Sequence, residues 1–340
     1  MSYTLGILDQ SPIFPGATAS GALQQTIKLA RYAEEWGYNR FWVSEHHHAE
    51  TLAGSSPEVL ISHLLAQTKS IRVGSGGVML QHYSPYKVAE NFHVLSNLSP
   101  GRVDLGIGKA PGGLPLSTKA LQYGTVNDGK DFEERVSFLQ EIIENSINGT
   151  HPLAGVQATP LPTIKPEMFL LGASTDSARL AANLGIAFVF ARFINSNDAV
   201  LDDAASIYRS IFPTGSFKLS VSVIAAPAQQ EANELIGDQK IVKVHLASGR
   251  TVTVQTIEQA EIFGKQAGES YEIEEQESTI IAGTPAYVTE VLTNLHERYG
   301  VDEFILHTPV LKEAERLRSF QLLSPLHLSL SEGKSVTSLK

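Results

Sequence analysis

Short apolar runs alternate with longer stretches of helical period along almost the whole chain, and this alternation constrains the fold most. Strand-like runs occur at Leu5–Leu8, Phe41–Val43, Ile71–Leu80, Val103–Gly108, Phe169–Leu171, Ile186–Phe190, Leu219–Ala225 and Phe304–Leu306. Between them lie helical faces such as Leu23, Ile27, Ala30 and Trp36, closed by Gly37. Other helices open with Pro57, Pro85 and Thr284-Pro285. Asp131 followed by Glu134 reads as a capping pair, and a helix starts at Ser174-Thr175-Asp176. Strands separated by helical crossovers make a parallel sheet, and eight is the closure number of a (β/α)8 barrel. The expected fold is therefore a TIM barrel, with residues 1–340 as one domain.

One stretch, 240–280, breaks the alternation between the seventh and eighth strands. Val242, Val244 and Leu246, then Val252 and Val254, flank a turn at Ala247-Ser248-Gly249-Arg250, which is a hairpin pattern. An insertion here is a lid or a decoration.

Composition removes several chemistries. The 340 residues hold 26 basic and 36 acidic side chains, a net charge of −10, and no cysteine. Nucleic acid is disfavoured as a partner. Disulfides, thiolate metal sites and a thiol nucleophile are excluded. No apolar run reaches the ~18 residues of a membrane span, and the N-terminus lacks a basic leader, so a cytoplasmic location is expected.

Four segments could carry chemistry. Glu45-His46-His47-His48 follows the second strand and so falls on the C-terminal face, where barrels keep their active sites. It reads as a metal site, a solvated loop or a catalytic contact. Gly74-Ser75-Gly76-Gly77 interrupts the third strand, as a bend or as the close approach of a flat ligand. Gly106-Ile107-Gly108-Lys109-Ala110-Pro111-Gly112-Gly113 fits neither common phosphate-loop pattern and leaves small residues plus one cation. Gly172–Ser177 joins a strand to a helix start, where an anion or an ordinary N-cap would be satisfied. Arg102, at the N-terminal face, reads as structural. His82 and Tyr83 follow the third strand and could line the mouth.

These segments, in this order, resemble the bacterial-luciferase-like flavin monooxygenase family. The match runs through Ser44-Glu45-His46-His47, Ile71–Gly77, Ala89-Glu90, Leu98–Arg102 and Leu105–Gly108. The resemblance implies a barrel that binds reduced FMN, supplied by a separate and transient flavin reductase, and uses O₂ to oxygenate a small organic substrate. It implies His46 as the residue assisting the flavin–oxygen chemistry. Gly76 and Gly77 would be joined by a cis peptide under the flavin ring. Lys109, Ala173, Ser174, Thr175 and Ser177 would hold the phosphate, and no metal is called for. It makes the 240–280 insertion a mobile lid, and it makes helices 57–68 and 85–98 a homodimer interface. Gly108 departs from the luciferases, which carry a reactive cysteine there. A deazaflavin-dependent dehydrogenase and an idle flavin-binding protein remain the alternatives.

Overall fold

The computed structural model describes residues 2–125, 127–237, 239–254 and 256–331. Its strands are β1 (Thr4–Asp9), β2 (Arg40–Val43), β3 (Arg72–Met79), β4 (Val103–Gly108), β5 (Glu167–Gly172), β6 (Ala187–Ala191), β7 (Phe217–Ala225), β8 (Lys240–Leu246), β9 (Thr251–Val254), β10 (Tyr271–Glu277), β11 (Ile280–Gly283) and β12 (Glu303–His307). β1 through β7 pair in sequence order, β12 follows β7, and β12 pairs with β1. All of these pairings are parallel, so eight strands close into a barrel with the helices outside. The expected fold is the one observed.

The strands form where the apolar runs lie because both faces of a barrel strand are covered. β7 is buried along its whole length. It is also longer than its neighbours. Its first half pairs with β12, and its second half pairs with β11, a short strand the sequence reading passed over.

Most helix starts behave as read. Thr284 Oγ1 accepts from the Tyr287 amide at 3.3 Å with Pro285 just inside, and Gly300 closes that helix in the left-handed region at φ 63°. Asp131 departs from expectation. It sits at the N-cap of Phe132–Glu144 but makes no capping bond; its Oδ2 accepts instead from Arg135 Nε at 2.8 Å. A basic side chain one turn on competes for the carboxylate that a free N–H would otherwise take. Helices also form at Pro115–Leu121, Asp198–Ile211 and Gln229–Ile236, where the sequence pattern gave no expectation of one.

Inside the barrel the layers differ in chemistry. At the N-terminal end Arg40 meets Asp104 at 2.7 Å and Glu303 at 2.9 Å, and Lys218 reaches Glu303 at 3.0 Å. These charges are almost fully shielded from solvent, and each is paired, which is the condition for burying charge at all. Above them Leu8, Trp42, Phe169, Val189 and Ile305 form an apolar plug. The C-terminal end of the barrel, its mouth, lies beyond this plug.

The 240–280 stretch forms its hairpin as read, and Tyr271–Glu277 adds a third antiparallel strand in the order β10-β8-β9. With the helix Ile257–Ala267 it encloses its own small core of Val242, Val244, Leu246, Ala260 and Phe263. Leu114, from the loop after β4, packs on that core, and the Leu116 amide donates to Gln266 Oε1 at 3.1 Å. The unit leaves the barrel after β7, returns before β12, and meets the loop after β4 through these contacts.

Candidate active site

The residues after β2 divide into different roles. Glu45 is fully buried. Its Oε1 accepts from Tyr83 Oη at 2.8 Å and from His47 Nε2 at 2.7 Å, and its Oε2 accepts from the Met79 amide at 3.1 Å. This ties the ends of β2 and β3 together. The His47 amide donates to Gly112 O at 2.7 Å, which adds the loop after β4. His48 is exposed with φ 53°. His46 is left facing different chemistry. Its Nδ1 lies 3.0 Å from Ser44 Oγ. Loss of surrounding water, with a smaller push from His47, lowers its pKa to about 4 against the opposing pull of Glu45. It is therefore a neutral imidazole at neutral pH. Among the described residues no three His, Cys, Asp or Glu side chains converge as metal ligands.

Glycines shape the wall beside this mouth. The Gly76–Gly77 peptide is cis, as the resemblance implies. A Cβ on Gly77 would lie 2.8 Å from Gly106 O and 2.9 Å from its carbonyl carbon, so backbone blocks it. A Cβ on Gly76 would meet Leu8 Cδ1 at 2.7 Å and Trp42 Cβ at 3.2 Å, both in the apolar plug. The register between β3 and β4 shifts between Ser75 and Val78, so the strand bulges here.

Two strands from β2, sequence reading missed His307. Glu303 and Ile305 point into the barrel, and a strand alternates with period two, so His307 at the end of β12 points into the mouth. Burial lowers its pKa to about 3, with further push from Arg316 and from His46. Its ring packs against Phe193 at 5.5 Å between centroids. Arg316 itself is held by Asp9 at 2.8 Å, which makes Asp9 a structural partner and not a pocket group.

The expected phosphate-side residues fall on neighbouring strand ends, since β4 pairs with β5. Ser174 Oγ accepts from the Ser177 amide at 3.2 Å and lies 3.1 Å from Ser177 Oγ. Ala173 O accepts from Asn195 Nδ2 at 2.9 Å. Thr175 begins the helix, and Asp176 places a carboxylate in the same first turn, where it competes with any anion. The Lys109 ammonium lies over the Phe132 ring at 5.7 Å. Arg102 is structural, with Nη2 donating to Thr68 Oγ1 at 2.6 Å and Nε to Ile71 O at 3.1 Å. His82 and Tyr83 brace loops: His82 Nε2 lies 2.8 Å from Pro111 O, and Tyr83 holds Glu45.

Similarity to known proteins places this site in a family. Residues 3–303 match the family described as luciferase-like monooxygenase. N-acetyl-S-alkylcysteine monooxygenase of Bacillus subtilis (strain 168) is 48% identical over 94% of this chain and 97% of its own length. The solved structure of apo-MsnO8 superposes with a TM-score of 0.77 and 32% identity, covering 95% of this chain and 98% of that one. The oxygenating constituent of 3,6-diketocamphane monooxygenase from Pseudomonas putida, solved with FMN, shares the fold at a TM-score of 0.69 and 20% identity over 95% and 97% of the two chains. The chain belongs to the luciferase-like monooxygenase family.

Proposed function

We propose that this protein takes reduced FMN from a separate reductase and uses O₂ to place one oxygen atom on a small N-acylated S-alkyl cysteine, the second oxygen leaving as water. The observation that carries the reading is His46, a neutral and largely desolvated imidazole at a barrel mouth walled by glycines. The substrate class rests on the similarity to the Bacillus enzyme.

The residues present fit a flavin. Gly76 and Gly77 let β3 pack against β4 and the apolar plug at the cis peptide beside which the planar ring would lie. Lys109, Ala173, Ser174, Thr175 and Ser177 would hold the phosphate by charge, hydroxyls and the open amides of a helix start. When bound, reduced FMN supplies the two electrons that activate oxygen. His46 holds or moves a proton at Nε2 while Ser44 fixes Nδ1; being neutral, it can do either. The insertion acts as a lid that excludes water from the site. Val59, Val94 and Leu98 stand 68%, 42% and 66% exposed on the helices expected to pair two copies, which supports a homodimer. No helix is long and apolar enough to cross a membrane among the described residues, in keeping with a cytoplasmic enzyme.

The test is oxygen uptake with reductase-supplied FMN and N-acetyl-S-methylcysteine. Substrate-dependent uptake with loss of the thioether supports the reading. Turnover only with reduced deazaflavin, or flavin binding without any turnover, overturns it.

A further inference from the structure

The end of β2 sets a row of side chains toward the mouth. Trp42 belongs to the plug, so its face of the strand looks into the barrel. Side chains alternate with period two, which returns Ser44 and His46 to that face, while Glu45 turns away to Tyr83 and the Met79 amide. Backbone bonds hold both residues: the Ser44 amide donates to Asp9 O at 3.1 Å, and the His46 amide donates to Gly54 O at 2.8 Å. Ser44 Oγ and His46 Nδ1 then meet at 3.0 Å.

That contact has a direction. The Ser44 side chain is buried, and its hydroxyl has no other hydrogen-bond partner among the described residues. A hydroxyl carries one hydrogen, and the neutral ring of His46 carries one N–H and one lone pair. If Nδ1 held the ring hydrogen, the serine hydrogen would be buried with no acceptor, which is costly. The hydroxyl therefore donates to Nδ1, and the ring hydrogen sits on Nε2. The ring is half-buried, and Nε2 has no partner among the described residues and is not enclosed, so it is open to a small molecule.

We propose that Ser44 is a positioning residue that fixes His46 as the Nε2–H tautomer, so that the ring enters turnover with a hydrogen, not a lone pair, facing the mouth. That hydrogen can be shared with an oxygen atom on which negative charge builds, and a donor fixed in advance needs no reorganisation when it does. The bond received at Nδ1 also strengthens the N–H on the far side of the ring. This inference rests on the reaction proposed above and decides which of the two parts open to His46 it plays first.

The test is ¹⁵N NMR of the histidine side chains at neutral pH in the protein without flavin, with the His46 signals assigned by their loss in His46→Asn. The parent should show one tautomer, with the hydrogen on Nε2. Ser44→Thr keeps the hydroxyl and should keep that spectrum. Ser44→Val has nearly the same shape as Ser44→Thr without the hydroxyl and should show a mixture. With reductase-supplied FMN, Ser44→Val should lose at least about tenfold in kcat while KM and oxidised-FMN affinity stay within about twofold, and Ser44→Thr should recover most of that loss. A hydrogen on Nδ1 of His46 in the parent, or equal kcat in Ser44→Thr and Ser44→Val, overturns the role of Ser44. A parent that does not oxidise N-acetyl-S-methylcysteine overturns the proposed reaction instead, and the tautomer in the parent then decides this inference alone.

Discussion

At the scale of single residues, the site depends on groups whose ordinary character has been altered by position. His46 is the clearest case. Proton transfer by a placed histidine contributes about 10²- to 10⁴-fold to rate. His46→Asn should therefore lower kcat by about that much while oxidised FMN binds within a few-fold of the parent, as read by fluorescence quenching. The two glycines make a sharper comparison. At Gly77 an added methyl meets the backbone of β4; at Gly76 the nearest atom is the end of the Leu8 side chain. Gly77→Ala should destabilise by about 2–3 kcal/mol and weaken FMN binding, whereas Gly76→Ala should cost about 1 kcal/mol, by urea unfolding. Much of this scale was legible in the sequence. His46 and the glycine pair stood out because such runs are odd at a strand end. His307 was not seen because one histidine before Thr308-Pro309 carries no motif. Its signal was weaker: Glu303 and Ile305 two and four residues before it set an inward face.

Among the elements, the barrel strands could be read because burial on both faces leaves continuous apolar runs. β11 could not, since Ile280–Gly283 is four residues long and its partner is the far half of β7, set by closure of the barrel. β10 is acidic and only weakly apolar, so it carries no strand signal of its own. Its strand character comes from pairing with β8, which leaves Glu272, Glu274 and Glu275 in solvent. The helix Asp198–Ile211 was lost among alanines, whose small side chains blur an apolar stripe. The insertion has a separate core, so it should come loose separately. Phe263→Ala empties a fully buried position in it. We expect proteolysis within 240–280 to quicken at least tenfold while the barrel's thermal midpoint moves by less than about 3 °C. A second expectation concerns the exposed helices: Val94→Glu with Leu98→Glu should give monomers by sedimentation with the fold retained.

For the whole molecule, the buried charges and neutral histidines set how stability responds to pH. His46 and His307 have folded pKa values of about 4 and 3, below the 6.5 of an unfolded histidine. Between roughly pH 6.5 and 4 the unfolded chain binds more protons, so stability falls as the medium is acidified. Each group contributes on the order of 1 kcal/mol per pH unit in that window. The double variant His46→Asn, His307→Asn should flatten the slope, measured as unfolding free energy from pH 7 to 4.5. The buried cluster at the other end of the barrel is written in the sequence as lone charges in or beside apolar strand runs, Arg40, Asp104, Lys218 and Glu303. Removing one member leaves its partners buried and under-compensated. Arg40→Met should cost about 3 kcal/mol.

The proposed reaction joins reduced FMN, oxygen and a thioether-bearing amino acid at this barrel mouth. Turnover of N-acetyl-S-methylcysteine under ¹⁸O₂ with reductase-supplied FMN, followed by mass spectrometry of the product, tests it directly. The proposed reaction puts one ¹⁸O atom in the product for each O₂ consumed. An unlabelled product, or substrate loss that proceeds without oxygen, would contradict it.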